Sequence, residues 1–266
     1  MKKNISTLLI SFCMFFAMAQ STPWQAYGPV KFPVNTVGQI NGMGRSTQLK
    51  FHPSNPAIMY STSASGGLWI SRDTGHNWTV TGTDSFANTK LASVCIDYTN
   101  DQIIYIGTGD PNYFYNNIGI YKSTNGGVSF SPSNINIGNR MALELLMSPI
   151  DNNTLIAATN DGIWKTTDGG ATWTQKQTGV FLDMKFKAVP NSSTLFAATG
   201  TQFYKSIDMG ETWVLVSSGI TIYPDLGDGP GSRIAVTAGD TSMVYLLMLN
   251  NGGTIFRSTE MAIILV

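Results

Sequence analysis

Three aspartates, Asp73, Asp168 and Asp208, each hold the third place of an octapeptide with a hydroxyl at place one, a glycine at place five and a tryptophan at place eight. Carboxylates placed this way could act as the acid and base of a glycoside hydrolase, which flank one bond in pairs, or as ligands to calcium. The copies span 71–78 (SRDTGHNW), 123–130 (STNGGVSF), 166–173 (TTDGGATW) and 206–213 (SIDMGETW), and a fifth opens at Arg257-Ser258-Thr259 and is lost at Glu260. Each copy offers one carboxylate, and the second has Asn125 in its place and Phe130 for the tryptophan. A catalyst needs several groups converging on one point, so a motif repeated in every unit reads as a device of the fold. On that reading Ser71, Ser123, Thr166 and Ser206, with Asp73, Asn125, Asp168 and Asp208, accept hydrogen bonds from the backbone of a tight turn. Gly75, Gly127, Gly170 and Gly210 supply its positive φ. Trp78, Phe130, Trp173 and Trp213 lay apolar surface between neighbouring units.

Other chemistry has little material. His52 and His76 are the only histidines, and the second lies inside a turn motif, which leaves almost no material for a histidine metal site or a Ser-His-Asp triad. Neither a metal nor a cofactor is expected. Cys95 sits in an apolar stretch and reads as a buried small residue. The Asp225-Leu-Gly-Asp228 segment is rich in oxygen ligands, but its spacing fits no established calcium loop and it reads as a connection. The segment Asp110, Asn112, Tyr113, Phe114 and Tyr115 follows an apolar strand and lengthens the second unit. Its aromatics and carboxylate make it the candidate ligand loop, able to stack on a sugar ring or grip a peptide. Its bland alternative is a loop packed on the next unit.

The elements that carry these residues repeat as well. Counted at the closing aromatic, the copies stand 52, 43 and 40 residues apart. An aromatic (Trp69, Tyr121, Trp164, Tyr204, Phe256) precedes each opening hydroxyl by two places, and apolar strands lie upstream, among them the near-identical TLIAAT at 154–159 and TLFAAT at 194–199. Four short strands per unit, joined by Gly, Asn, Asp and Pro turns, predict an all-β β-propeller of four-stranded blades. The expected blades are 40–82, 88–132, 139–176, 180–217 and a truncated 231–266. About five blades and a chain that stops inside its fifth motif predict an incomplete ring, a fragment of a longer protein that aggregates when alone.

At these octapeptides the sequence resembles the Asp-box (BNR) repeat propellers, which include sialidases, xyloglucanase-type hydrolases, the sortilin ectodomain and a photosystem II assembly factor group. Gly28-Pro29, Gly44-Arg45, the 51–56 stretch FHPSNP and the 66–69 stretch GGLW bring it nearest to secreted Bacteroidetes-type proteins with sortilin-like or xyloglucanase-like propellers. That likeness implies type IX secretion, although no sorting domain follows the repeats. It also implies a catalytic base in a Tyr-x-x-Thr-Asp-x-Gly-Gly stretch. The matching residues run from Tyr60 to Gly67 and put Ala64 where the carboxylate belongs. A sialidase would need three arginines around one substrate carboxylate, and Arg45, Arg72, Arg140, Arg233 and Arg257 are the whole supply.

Sixteen basic residues balance sixteen acidic ones, and charged residues make up only 12% of the chain. No basic patch suited to nucleic acid or anionic lipid follows from such a balance. Lys2 and Lys3, an apolar run and an Ala-Met-Ala site before Gln20 mark residues 1–19 as a signal peptide, with 20–266 as the propeller. The expected protein is secreted or held at the cell surface, with no membrane-spanning segment once the leader is removed. Its expected role is a non-catalytic platform for an extracellular protein or glycan. The competing reading is a xyloglucanase-type hydrolase whose catalytic residues lie partly elsewhere.

Overall fold

The computed structural model describes residues 44–110, 117–216, 218–220, 231–249, 253–259 and 262–265. Residues 1–19, expected to be a signal peptide, residues 112–115 of the candidate ligand loop and the 225–228 segment lie outside them. Twenty strands form five antiparallel four-stranded sheets, each a meander in chain order. Blade 1 holds β1 (Ser46–Phe51), β2 (Met59–Ser63), β3 (Gly67–Ser71) and β4 (Thr79–Val80). Blade 2 holds β5 (Leu91–Ile96), β6 (Ile104–Thr108), β7 (Ile120–Ser123) and β8 (Ser131–Pro132). Blade 3 holds β9 (Ala142–Met147), β10 (Leu155–Thr159), β11 (Gly162–Thr166) and β12 (Thr174–Thr178). Blade 4 holds β13 (Asp183–Phe186), β14 (Leu195–Ala198), β15 (Phe203–Ser206) and β16 (Val214–Val216). Blade 5 holds β17 (Ser232–Val236), β18 (Val244–Met248), β19 (Thr254–Thr259) and β20 (Ala262–Leu265). The architecture is an all-β propeller. Its fifth sheet has a full set of four strands, where the sequence suggested a blade cut short, because 262–265 pairs with β19 without the turn motif to join them.

Consecutive blades pack face to face, and the first strands β1, β5, β9, β13 and β17 run side by side at the inner edge. Each neighbouring pair encloses its own apolar cluster. Tyr60, Leu68 and Ile70 of blade 1 meet Val94, Ile96 and Ile106 of blade 2, and the same pattern recurs between blades 2 and 3, 3 and 4, and 4 and 5. Burying one such side chain contributes about 1.5–3 kcal/mol, so the interfaces hold the blades in order. Ala157, Ala158, Ala197 and Ala198 are fully buried, which lets the second strands of blades 3 and 4 sit close to their neighbours.

The meander gives the stack two ends. The upper end carries the turn between second and third strands and the entry to each first strand. The lower end carries the turn between third and fourth strands, where four octapeptides lie, each with its glycine in the left-handed region: Gly75 (φ 88°), Gly127 (89°), Gly170 (82°) and Gly210 (77°). Among the described residues no helix is long and apolar enough to cross a membrane.

Candidate functional site

In each octapeptide the opening hydroxyl donates to the third residue and accepts from the backbone N–H of the glycine. Ser71 Oγ lies 2.9 Å from Asp73 Oδ1 and 2.8 Å from Gly75 N. The matching pairs are Ser123 with Asn125 and Gly127, Thr166 with Asp168 and Gly170, and Ser206 with Asp208 and Gly210. The third residue also accepts from the backbone and side chain of place seven: Asn77 on Asp73, Thr172 on Asp168 and Thr212 on Asp208. In the second copy the amide of Asn125 reverses one bond and donates to Ser129 Oγ at 2.8 Å. These bonds hold the carboxyl pKa values low. Asn77 does most for Asp73 and Thr166 for Asp168, while at Asp208 burial opposes the Thr212 bonds and loses; each falls to about 2. Trp173 sends its indole N–H to Ser133 O of blade 2 at 2.9 Å, while Trp78 and Trp213 close on the glycine carbonyls of their own turns. Every carboxylate here is occupied in closing its turn, and the four turns belong to four different blades.

Chemistry-bearing residues converge instead at the axis. The registers of the five sheets place Gln48, Ser93, Glu144, Asp183 and Arg233 at one equivalent position of their first strands. Gln48 Oε1 accepts from Val94 N at 2.8 Å and its Nε2 donates to Glu144 Oε2 at 2.8 Å. Lys50 Nζ donates to Glu144 Oε1 at 2.8 Å. Lys185 Nζ lies 3.3 Å from Glu144 Oε2 and 2.6 Å from Asp183 Oδ1. Asp183 Oδ1 also accepts from Met184 N and its Oδ2 from Ile234 N at 2.7 Å. Four blades are thereby tied through two buried carboxylates, and blade 2 through Gln48. Burial opposes the charge on Lys185, yet Glu144 and then Asp183 outweigh it and raise its pKa. The hub opens on a cavity of ≈ 420 Å³ at the axis, lined from all five blades, with Gln48, Glu144, Asp183 and Lys185 of the hub and Arg233 and Leu249 of blade 5 in its wall. Arg233 donates to Ser232 O at 2.8 Å and makes no ion pair among the described residues.

The remaining candidates are dispersed. Ala64 is buried in the upper turn of blade 1, its N–H on Arg45 O at 2.9 Å, and the turn is closed by Ser63 Oγ and by the Trp69 indole on Gly66 O. Asp110 is buried and pairs with Arg45, so it anchors one base of the candidate loop. Arg140 pairs with Asp161 and stacks 4.9 Å over the Trp164 ring. Arg72 lies at the lower end, beside a groove with Asp73 and Asn77. The five arginines are divided among blades 1, 3 and 5, with Arg45 and Arg72 at opposite ends of blade 1, and no three of them surround one point. His52 Nδ1 accepts from Ser54 N and Asn55 N, so it is taken up by its own turn and not free to draw a proton from Ser54 Oγ at 3.4 Å, and its Nε2 is 3.8 Å from Asp101 Oδ2, beyond hydrogen-bond reach; His76 lies in the first octapeptide turn. Desolvation pushes the Cys95 thiol up to about 12, which removes a nucleophilic thiolate. Among the described residues no three His, Cys, Asp or Glu side chains gather as a metal site.

No protein-family model matches the chain. A xyloglucanase of Hypocrea jecorina (strain QM6a) is 29% identical over 158 residues, which is 50% of this chain and 18% of that protein. The chain thus spans under a fifth of that curated relative. Among solved structures, an ancestral GH74 enzyme matches 84% of this chain and 31% of its own, with TM-score 0.65 and 18% identity. The GH74 xyloglucanase from Xanthomonas campestris matches 84% and 37%, with TM-score 0.61 and 20% identity. An auxiliary nutrient binding protein from Bacteroides thetaiotaomicron matches 89% and 61%, with TM-score 0.58 and 13% identity. These likenesses establish a propeller fold of the xyloglucanase kind.

Proposed function

We propose that this chain is an exported, non-catalytic propeller that binds glycan at its upper end. The observation that carries the reading is the saturation of the axial carboxylates. All four oxygens of Glu144 and Asp183 accept from protein donors, and Lys185 Nζ sits between the two groups, where a scissile bond would have to lie. Hydrolysis needs one carboxyl free to give a proton and one free to activate water or attack. Ala64, buried where the xyloglucanase resemblance puts a base, can do neither. Binding needs only a rigid scaffold with loops and polar groups on one face, and the axial cavity, Arg233 and the base of the 110–115 segment all lie at the upper end. The name of the curated relative, xyloglucanase, supports glycan as the ligand class, and that of the nutrient binding protein supports binding. The xyloglucanase name also favours the second reading, a hydrolase whose paired carboxylates lie in further sequence.

The test is affinity electrophoresis of the purified chain against a panel of soluble polysaccharides that includes xyloglucan, run beside a reducing-end assay. Retardation by at least one polysaccharide with no release of reducing ends, weakened several-fold by Arg233→Ala, is the expected result. Release of reducing ends overturns the non-catalytic reading, and retardation by none of them overturns glycan binding.

A further inference from the structure

Register makes the five blades comparable residue by residue, and two of their faces stand out. Leu49 of blade 1 is equivalent to Val94, Leu145, Met184 and Ile234, which face the preceding blade and are buried in blades 2 to 5. Leu49 is 51% exposed, and Phe51, two residues on along the same face, is 58% exposed. The opposite face of blade 5 shows the complementary gap. Its Ile255 is equivalent to Leu68, Ile120, Ile163 and Phe203, all buried against the following blade, and is 51% exposed. Tyr245, equivalent to the buried Tyr60, Tyr105, Ile156 and Phe196, is 38% exposed.

A polar observation points the same way. At the position just before the opening hydroxyl, Lys122 reaches the next blade's turn at Gly169 O (3.0 Å), and Lys165 reaches Glu211 in the turn after it (3.0 Å). Blade 5 has Arg257 there, and its Nε is buried with no hydrogen-bond partner. An unpaired guanidinium N–H buried in a blade face lacks the acceptor that a following blade's turn supplies in blades 3 and 4.

We propose that the blade 5 face receives blade 1 of a second copy of this chain, packed head to tail. Blade 1 brings what the blade 5 face lacks. It has Leu49 and Phe51 at the positions that cover the preceding blade elsewhere, and a turn at 71–78 placed to meet Arg257. Two different faces make the contact heterologous, so copies add to one another instead of closing as a face-to-face pair.

Sedimentation velocity of the full chain over a concentration series tests this. The expected result is association that grows with concentration, abolished by Phe51→Asp or by Ile255→Asp alone. An equimolar mixture of the two variants keeps one intact pair of faces and is expected to give a 1:1 dimer and nothing larger. Circular dichroism checks that each variant is folded, and Leu49→Lys with Tyr245→Lys is the second pair should either aspartate prevent folding. A wild-type chain that stays monomeric at its solubility limit overturns the proposal. So does self-association that survives in either single variant, which would mean that like faces pair, and so does a mixture that stays monomeric.

Discussion

Truncating Glu144 to alanine removes the one group that binds donors from blades 1 and 4 together, and its cost can be worked from the hub. Three side-chain donors lose their acceptor: Lys50 Nζ, Gln48 Nε2 and Lys185 Nζ. Breaking a fully buried ion pair costs about 3–5 kcal/mol. The Lys50 and Lys185 side chains are about 30% exposed, so both ammonium groups can turn partly to water. Part of that penalty is recovered, which leaves about 2–3 kcal/mol. For a chain of this size that is a fall in Tm of about 5–10 °C. Glu144→Gln keeps an acceptor and the shape, and should lose about half as much. The control is Glu211→Ala. Glu211 also bridges two lysines, Lys165 and Lys176, but it is half exposed, so its loss should cost no more than about 1 kcal/mol. Urea unfolding followed by tryptophan fluorescence gives each difference from the shift in midpoint at constant m. Equal losses for Glu144→Ala and Glu211→Ala, or a Glu144→Ala loss below about 0.5 kcal/mol, would refute the hub as a tie between blades.

Further expectations concern the lower turns. Asp168→Asn should be tolerated within about 1 kcal/mol, since Asn125 already fills that place in blade 2, whereas Asp168→Ala strands the Thr172 N–H and should cost about 1–2 kcal/mol by urea unfolding. Asp73, Asp168 and Asp208 have folded pKa values of about 2, below the ordinary 3.8, so their contribution is complete above pH 3.8 and is lost as pH falls towards 2. Melting scans between pH 4 and 2 should show that decline, and Asp→Asn at all three sites should flatten it. Thr74, β-branched at φ 59°, is strained where blades 2 and 3 have Gly126 and Gly169, and Thr74→Gly should raise stability by about 0.5 kcal/mol in the same urea assay.

The octapeptides were legible in the sequence because their residue types recur, and the strands around them followed from alternation and turn residues. What escaped was function shared by unlike residues. Asn77, Ser129, Thr172 and Thr212 at place seven do one job, bonding their side chains to place three (the first, third and fourth donate, Ser129 accepts from Asn125), but share no more than a polar side chain. The same holds for the second-to-third-strand turns, capped by Ser63, Thr108, Thr159 and Thr199. There the aromatics two places before each motif reach back: Trp69 to Gly66 O, Trp164 to Asp161 and Tyr204 to Gln202. The axial ring was invisible for a stronger reason. Gln48, Ser93, Glu144, Asp183 and Arg233 have nothing in common as residue types, and only strand register shows that they occupy one place. Aligning the first strands by their distance before each octapeptide fails too, because the second unit is longer than the others.

The composition of that ring bears on what the fold can do. Where five first strands converge, an apolar ring could slip or rotate blades against one another at little cost, since dispersion and burial are non-directional. Directional bonds between a glutamine, two carboxylates and two lysines fix which blade stands beside which. That requirement competes with catalysis for the same atoms. A carboxylate that accepts from two ammonium groups, or from two backbone amides and an ammonium, has no oxygen without a protein donor. On the proposed glycan-binding reading, the axial position has been taken by the structure that keeps the blades in order. In the ring, only Arg233 retains a charge without an ion-pair partner among the described residues, and a lone guanidinium beside a cavity can bind and orient but cannot transfer a proton near neutral pH. Chemistry in this chain would therefore require carboxylates that neither the octapeptide turns nor the axial ring supplies.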